Sequence, residues 1–242
     1  MDDNIDSSSF LSHLFELRHR LIRVVLTILV LTLCLMPFAN DLYHFLATPL
    51  LSQLPESSSM IATEVTSPFL TPLKLTLSTA IILAMPVLLY QLWAFIVPGL
   101  YEHEKKLVTP LLLASTLLFF LGILFAFYVV FPLVFGFLSH AAPEGVTVMT
   151  DIDSYLNFSL KMFFAFGLAF EVPVATVLLI WAGITNVESL VDKRPYIIVG
   201  AFVIGMLLTP PDVISQTLLA IPIWLLFELG LLASRWLPEK ES

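Results

Sequence analysis

The sequence predicts an all-α polytopic membrane protein with six transmembrane helices, both termini in the cytoplasm, and a short last pair of helices. Hydrophobic residues make up 58% of the 242 residues and charged residues only 12%, and the mean hydropathy is +0.95. A soluble domain carries about twice that share of charged residues. Basic residues recur after every second apolar run. We therefore expect one integral membrane domain over residues 1–242.

Each predicted span is an apolar run with few or no charges, comparable to the roughly 20 residues that cross about 30 Å of hydrocarbon. The six predicted spans are residues 21–38, 75–97, 107–138, 163–181, 195–208 and 213–232. The third is long enough to tilt or kink, with Pro110 and Pro132 near its ends. An amphipathic segment over residues 8–20 precedes the first span and is expected to lie at the membrane surface.

The last two predicted spans are short. Only 17 uncharged residues separate Arg194 from Asp212, and the sequence Thr-Pro-Pro-Asp at 209–212 predicts a sharp turn. A helix of about 15 residues extends only about 22 Å. The bilayer is therefore expected to thin there, or neighbouring helices shield the short pair. Ordinary variation in span length is the alternative.

The orientation follows from the lysines and arginines. Six spans place these basic residues on one side: Arg18, Arg20, Arg23, Lys105, Lys106, Lys193, Arg194, Arg235 and Lys240. The other side has only Lys74 and Lys161, together with several acidic residues. The positive-inside rule then predicts that both termini are cytoplasmic. The net charge of −8 does not indicate a basic partner, because the position of each charge relative to the bilayer matters more. We expect no nucleic-acid partner.

Several chemistries have no signature in the sequence. A single cysteine, Cys34, excludes a disulfide framework or a cysteine metal site within one chain. The five histidines are dispersed, and the spacing of a zinc-protease helix is missing. Neither a glycine-rich phosphate loop nor a Gly-x-Ser-x-Gly elbow occurs. We therefore expect no enzymatic activity, no metal and no cofactor.

Glu171 lies within the fourth predicted span between apolar neighbours. A carboxylate there costs about 2.5–3.5 kcal/mol on insertion scales, so it must be protonated, hydrated or paired. Ionisable groups inside a membrane are candidate functional residues. One hypothesis is therefore a proton-coupled small-solute transporter that uses Glu171. The alternative is a carboxyl group satisfied inside the helix bundle.

The stretch before the first span carries charge on a helical face. An apolar face is formed by Phe10, Leu14, Leu17 and Leu21. Glu16 falls on another face with Arg20, one turn on, and such a pair contributes about 0.2–0.5 kcal/mol. A second acidic cluster, Glu102 and Glu104, is predicted on the same membrane side. Two such segments could bind an arginine, whose guanidinium matches a carboxylate bidentately. A solvated ion pair is the alternative.

The motif His-Leu-x-Glu-Leu-Arg-x-Arg-Leu at residues 13–21 closely resembles the N-terminal signature of the TatC family of twin-arginine protein translocases. Further motifs follow in the family's order: SPFLTPLKL (67–75), YQLWAFIVPGLYEHEKK (90–106), FAFGLAFEVPV (164–174), KRPYIIVGAFVIGMLLTPPDVISQTLLAIP (193–222) and LFELG (226–230). The resemblance implies a protein of the bacterial inner membrane, proteobacterial in type. Such proteins recognise signal peptides with consecutive arginines and support export of folded proteins, driven by the proton gradient.

The resemblance also implies roles for individual residues. The family's signal-recognition carboxylates match Glu16 and Glu104, and Arg18 and Phe95 match supporting positions. Glu102 departs from the family pattern, so either acid of this cluster could contact the signal.

Partner subunits are implied as well. The family docks single-span TatA- and TatB-type subunits on the short fifth and sixth spans, in a complex of several copies within the lipid. The matching residues are Met206, Thr209 and Gln216, and Pro49 and Asp212 match further positions of importance. Ala201 and Gly205 allow close backbone approach, within this chain or between chains.

Overall fold

The computed structural model describes residues 3–52, 60–96, 105–140, 149–208 and 213–234. These residues are helical almost throughout, and their only extended pairing is an isolated β-bridge between Ile61 and Asp151. The predicted all-α class is therefore confirmed. The chain forms two compact units, Met1–Phe45 with Phe69–Thr116, and Leu46–Pro68 with Leu117–Ser242. The single membrane domain stays a prediction.

The first unit begins with helix α1, Asp3–Leu35, which continues without a break from the amphipathic segment into the first predicted span. A 3₁₀ turn, Met36–Phe38, carries Pro37 and leads into α2, Ala39–Leu51. Large apolar side chains of α1, such as Leu21, Leu29 and Leu33, are exposed. Such a surface suits contact with lipid rather than water. The side chains of Phe10, His13 and Leu14 lie outside the described residues.

A bent pair of helices forms a further part of the first unit. Helix α3 spans Ser67–Leu83 and α4 spans Met85–Ile96. The two axes differ by 46°. Pro86 explains the bend, because it has no N–H to donate to the carbonyl group of Ile82. Helix α4 packs against α1, and this contact positions the candidate site described below.

A proline again marks a departure from regular helix in the third predicted span. Helix α5, Lys105–Phe125, passes into one π-helical stretch, Ala126–Val130, and then into α6, Phe131–His140. Pro132 lies two residues after the end of the π-helical stretch, and its ring would clash with the carbonyl group of Tyr128 in a regular α-helix. The kink predicted for the third span is therefore a π-turn ahead of Pro132.

Helices α7, Ile152–Ala169, and α8, Val172–Trp181, meet at a break that contains Glu171. Pro173 lies in the first turn of α8 and cannot donate to the carbonyl group of Ala169. Glu171 donates its backbone N–H to Leu168 at 3.1 Å, which tightens the last turn of α7. Glu171 therefore lies at a helix junction, rather than inside an uninterrupted helix.

The chain continues through a short helix α9, Val187–Asp192, then α10, Arg194–Leu208, and α11, Val213–Ser234. Helix α11 packs against both α8 and α10. A buried apolar cluster contains Leu190, Phe227 and Leu231. Nearby, Arg194 Nη2 donates to Glu228 Oε2 at 2.6 Å, while Arg194 Nε is buried without a hydrogen-bond partner in the described part. Glu228 is therefore the ion-pair partner of Arg194.

The apolar helices follow the order of the predicted spans. Within the described ranges, four helices are long and apolar enough to cross a membrane, the bent pair α3–α4 could form a fifth span, and α10 is a shorter apolar helix. Helices α3 and α7 extend past the predicted span ends through Lys74 and Lys161. Long lysine side chains can extend their ammonium groups towards water from such positions. The count of six spans and the orientation stay predictions.

Asp151 begins α7 and joins it to the segment that precedes α3. Its Oδ1 accepts hydrogen bonds from the backbone N–H groups of Asp153 and Ser154 at 3.1 and 2.9 Å, as a helix N-cap does. Its Oδ2 accepts from the backbone N–H and the hydroxyl group of Thr63 at 3.0 and 2.8 Å. The backbone hydrogen bond from Ser154, and next that from Thr63, lowers the pKa of this carboxyl group well below its usual range.

We expect Asp151→Ala to lower the melting temperature of the purified protein at neutral pH by a few degrees, because both the helix cap and the link to Thr63 are lost. The folded-state pKa lies below the ordinary value of 3.8. The contribution of Asp151 is therefore complete above that value and declines as the pH falls below it. Thermal unfolding in detergent across this pH range measures the effect. Asp151→Asn is the control for the pH dependence, since its side chain cannot titrate. Equal melting temperatures of wild type and Asp151→Ala at neutral pH would contradict the prediction.

Candidate functional site

The candidate site is built around Glu16 on α1. Arg20, one helical turn later, donates to Glu16 Oε1 from Nη2 at 2.5 Å and from Nε at 3.1 Å. The predicted pairing of these two residues is therefore confirmed. Both hydrogen bonds reach the same carboxylate oxygen, and Oε2 accepts none from the described residues.

Arg20 also joins α1 to α4. Its Nη2 donates to the backbone carbonyl group of Ala94 at 2.9 Å, and its Nη1 donates to Gln91 Oε1 at 3.3 Å. The side chain of Gln91 is buried, and the side chain of Arg20 is only 18% exposed. The guanidinium therefore has acceptors on two helices. The simple picture of a solvated surface ion pair does not describe it.

The carboxylate of Glu16 stays accessible within this arrangement. Its side chain is 36% exposed, twice the exposure of Arg20. A half-exposed ion pair alone contributes little, about 0–1 kcal/mol. The ion pair matters more because it orients the Glu16 carboxylate. A carboxylate presents about four lone-pair positions, and Arg20 uses only those of Oε1. The site can therefore accept further N–H donors, as from a second guanidinium.

The other residues implied in signal recognition are placed as follows. Phe95 follows Ala94 directly in α4 and is half-buried, so it lies next to the carbonyl group that accepts from Arg20. Arg18 is exposed on α1. Glu102 and Glu104 lie outside the described residues. The structure thus brings Glu16 close to the end of α4 that carries Phe95, and the role of each residue stays a prediction.

The residues implied in partner docking belong to α10 and α11. Met206 is 54% exposed, and Gln216 is half-buried. A Cβ atom at Gly205 would lie 3.4 Å from the Gln216 carbonyl oxygen, so the two backbones meet here within one chain. This contact places the small-residue pair Ala201 and Gly205 at an intrachain interface. Thr209 and Asp212 lie outside the described residues.

Pro49 and Glu171 complete the set of predicted residues. Pro49 is buried inside α2, where its carbonyl group accepts from the Ser52 hydroxyl group at 3.0 Å. Glu171 is half-buried at the α7–α8 break, with Oε1 buried. Both residues belong to the second unit, whereas Glu16 belongs to the first.

A cavity of about 750 Å³ lies beside this break in the second unit. Its lining is mostly apolar, and the lining residues are Asn157, Leu160, Lys161, Phe164, Ala165, Leu168, Ala169, Val172, Ile204 and Ile223. Glu171 is not among these residues. The cavity therefore gives no support for a solute path that uses the Glu171 carboxyl group.

Comparison with known proteins decides the family. The family described as "TatC: Sec-independent protein translocase protein (TatC)" matches residues 12–222. The chain belongs to the TatC family. The TatC protein of Escherichia coli strain K12 is 60% identical over 231 residues, which cover 96% of this chain and 90% of the relative. The TatC protein of Haemophilus influenzae is 57% identical over 240 residues, which cover 99% of this chain and 94% of the relative.

Solved structures of TatC proteins have the same fold. A crystal structure described as the twin arginine translocase receptor TatC superposes with a TM-score of 0.81 at 41% identity. It covers 92% of this chain and 98% of the other. A second structure, of TatC in the detergent DDM, has a TM-score of 0.82 at 42% identity. These matches confirm the resemblance that the sequence motifs indicated.

Sequence reasoning missed one component of the Glu16 site, Gln91. One feature of the sequence indicates it, because Gln91 is the single amide side chain in the apolar run Leu88–Trp93. A buried amide without a hydrogen-bond partner is costly, so Gln91 required one. The sequence alone could not identify Arg20 as that partner, because the two residues are 71 positions apart.

Proposed function

We propose that this TatC family member is the core receptor subunit of a twin-arginine translocase. It binds twin-arginine signal peptides at the cytoplasmic face of the bacterial inner membrane and supports the export of folded proteins. The observation that carries the proposal is the family match over residues 12–222, together with the similarity to a crystal structure of a twin arginine translocase receptor.

Glu16 and Glu104 are the proposed signal-binding carboxylates, with Arg18 and Phe95 in support. Each signal arginine pairs with one carboxylate. A hydrogen bond to a charged group is worth about 1.5–3 kcal/mol, so two such pairs discriminate strongly against signals without arginine. The geometry of Glu16 supports this role, because its Oε2 accepts no hydrogen bond from the described residues.

The remaining features of the proposal follow the family and the charge pattern. Six spans place both termini in the cytoplasm, on the side with the most lysine and arginine. The chain acts without enzymatic chemistry, and the proton gradient supplies the energy for export. Single-span TatA- and TatB-type subunits dock on the fifth and sixth spans near Met206, Thr209 and Gln216, in a complex that contains several copies of the chain. Exposed Met206 and half-buried Gln216 support this location.

We expect the chain to restore export in a proteobacterial strain that lacks its own TatC protein. The reporter is a folded fluorescent protein with a twin-arginine leader, and its arrival in the periplasm is measured by fractionation. The same reporter with a twin-lysine leader is the control and is expected to stay inside the cell. Absence of export by a stably inserted chain, together with its other Tat subunits, would contradict the proposal.

Glu171→Gln separates the receptor from the transporter hypothesis. The receptor proposal predicts that this variant still crosslinks to the leader, because Glu171 lies at the α7–α8 break of the second unit, whereas Glu16 belongs to the first. A loss of small-solute uptake with unchanged leader binding and export would instead favour a transporter.

A further inference from the structure

Arg20 donates two hydrogen bonds to one oxygen of the Glu16 carboxylate, and a signal arginine could donate in the same way to the other oxygen. We propose that Arg20 and Gln91 are positioning residues that hold the Glu16 carboxylate in a fixed plane and leave Oε2 for the arriving guanidinium. This inference rests on the proposed function and adds to it a cause for the preference for arginine over lysine. Neither positioning residue is required to touch the signal.

The contact between Arg20 and Glu16 shows how a guanidinium uses this carboxylate. Two N–H groups of Arg20, Nη2 and Nε, both donate to Oε1. Each carboxylate oxygen has about two acceptor positions, so Oε1 is fully used, and the described residues leave both positions of Oε2 open. A signal arginine can donate two N–H groups to Oε2 in the same manner. The orientation of Oε2 then decides whether both hydrogen bonds form.

Two acceptors on α4 fix the orientation of Arg20. Gln91 accepts from Nη1 and the Ala94 carbonyl group accepts from Nη2. These acceptors and Glu16 together engage all three nitrogens of the guanidinium, so the planar group cannot turn without losing a hydrogen bond. Gln91 is buried and only 8% exposed, and it cannot exchange Arg20 for water as a surface amide could.

Gln91 also suits this task because it is neutral. Glu16 and Arg20 together carry no net charge, and an uncharged acceptor keeps the pair balanced. Two hydrogen bonds from an arginine require a fixed carboxylate, whereas a lysine ammonium is a point charge with rotatable donors. Loss of the Gln91 contact with Arg20 should therefore weaken the binding of a signal arginine far more than the binding of a signal lysine.

The test compares Gln91→Met with wild type in membrane vesicles that contain the full chain and its partner subunits. Methionine fills a similar volume but offers no comparable acceptor. Fluorescent leader peptides with twin arginine and twin lysine are titrated in parallel. We expect the affinity for the twin-arginine leader to fall about tenfold, because one hydrogen bond between a signal arginine and Glu16 Oε2 no longer forms. The affinity for the twin-lysine leader should change less than about twofold.

Leu89→Met is the matched control, because Leu89 is a buried neighbour in α4 that gives the same new side chain without loss of a hydrogen bond. A purely structural role of Gln91 would lower both affinities together and leave their ratio unchanged, which would overturn the inference.

Glu16→Gln, measured beside these variants, separates the two proposals. If Glu16→Gln does not weaken twin-arginine binding, the assigned role of Glu16 in the proposed function is wrong. Suppose that Glu16→Gln weakens binding while Gln91→Met leaves the ratio of twin-arginine to twin-lysine affinity unchanged. The proposed function then stands, and only the positioning role of Arg20 and Gln91 is wrong.

Discussion

Exchange of both Glu16 and Glu104 for glutamine is expected to weaken binding of a twin-arginine leader at least about 100-fold, because each lost charge-assisted pair accounts for about 1.5–3 kcal/mol. The exchange at Glu16 also leaves the positive charge of Arg20 uncompensated beside the arriving arginine. Site-specific photo-crosslinking of a labelled leader in membranes, together with a binding titration, measures the loss.

Glu188→Gln is the control for this pair, because Glu188 is an exposed glutamate on the short helix α9. It removes one negative charge without disturbing the Glu16 site, so leader binding should stay at the wild-type level. Each single variant is expected to weaken binding about tenfold or more. Undiminished crosslinking to the double variant would show that other groups bind the leader.

The second large effect is expected for Gly122→Ala. A Cβ atom at Gly122 would lie 2.5 Å from the Phe166 carbonyl oxygen and 3.1 Å from the Gly167 Cα atom. Backbone atoms cannot move aside as a flexible side chain can, so α5 and α7 must separate. Overpacking of this kind costs about 1–3 kcal/mol of folding free energy. Thermal unfolding in detergent and the steady-state level in membranes measure this loss.

Gly200→Ala provides the matched comparison within the same chain. Gly200 also lies in an apolar helix, α10, but apart from the backbone of α10 itself no heavy atom of the described residues would come within 4 Å of an added Cβ. We expect this variant to be as stable as wild type or slightly more stable, since alanine favours helix over glycine by about 1 kcal/mol. Equal stability of the two alanine variants would mean that α5 and α7 do not meet as closely at Gly122 as described.

Much of the fold follows from local features of the sequence. The apolar runs predict the helices, and Pro132 predicts the departure from regular helix near the end of the third span. Lys74 and Lys161 precede the predicted spans but lie inside the helices, because a search for uncharged runs treats every lysine as an end. Helix ends are set by backbone hydrogen bonds and caps, such as that of Asp151, which hydropathy does not report.

The Glu16 site shows a different limit of prediction. The spacing of Glu16 and Arg20 sufficed to predict their pairing, since residues four apart share a helix face. The contacts of Arg20 with Gln91 and Ala94 depend on how α1 and α4 pack, and sequence spacing carries no information about that. The same applies to Arg194 and Glu228, which are 34 residues apart.

The ion pair between Arg194 and Glu228 has a consequence for biogenesis. Arg194 opens α10, whereas Glu228 lies near the end of α11. The ribosome synthesises Arg194 before Glu228, so Arg194 lacks this counter-ion until most of α11 has been synthesised. Helix α10 alone therefore lacks a contact that fixes its first turn. The last two helices are expected to mature in the bilayer as a single hairpin, late in synthesis.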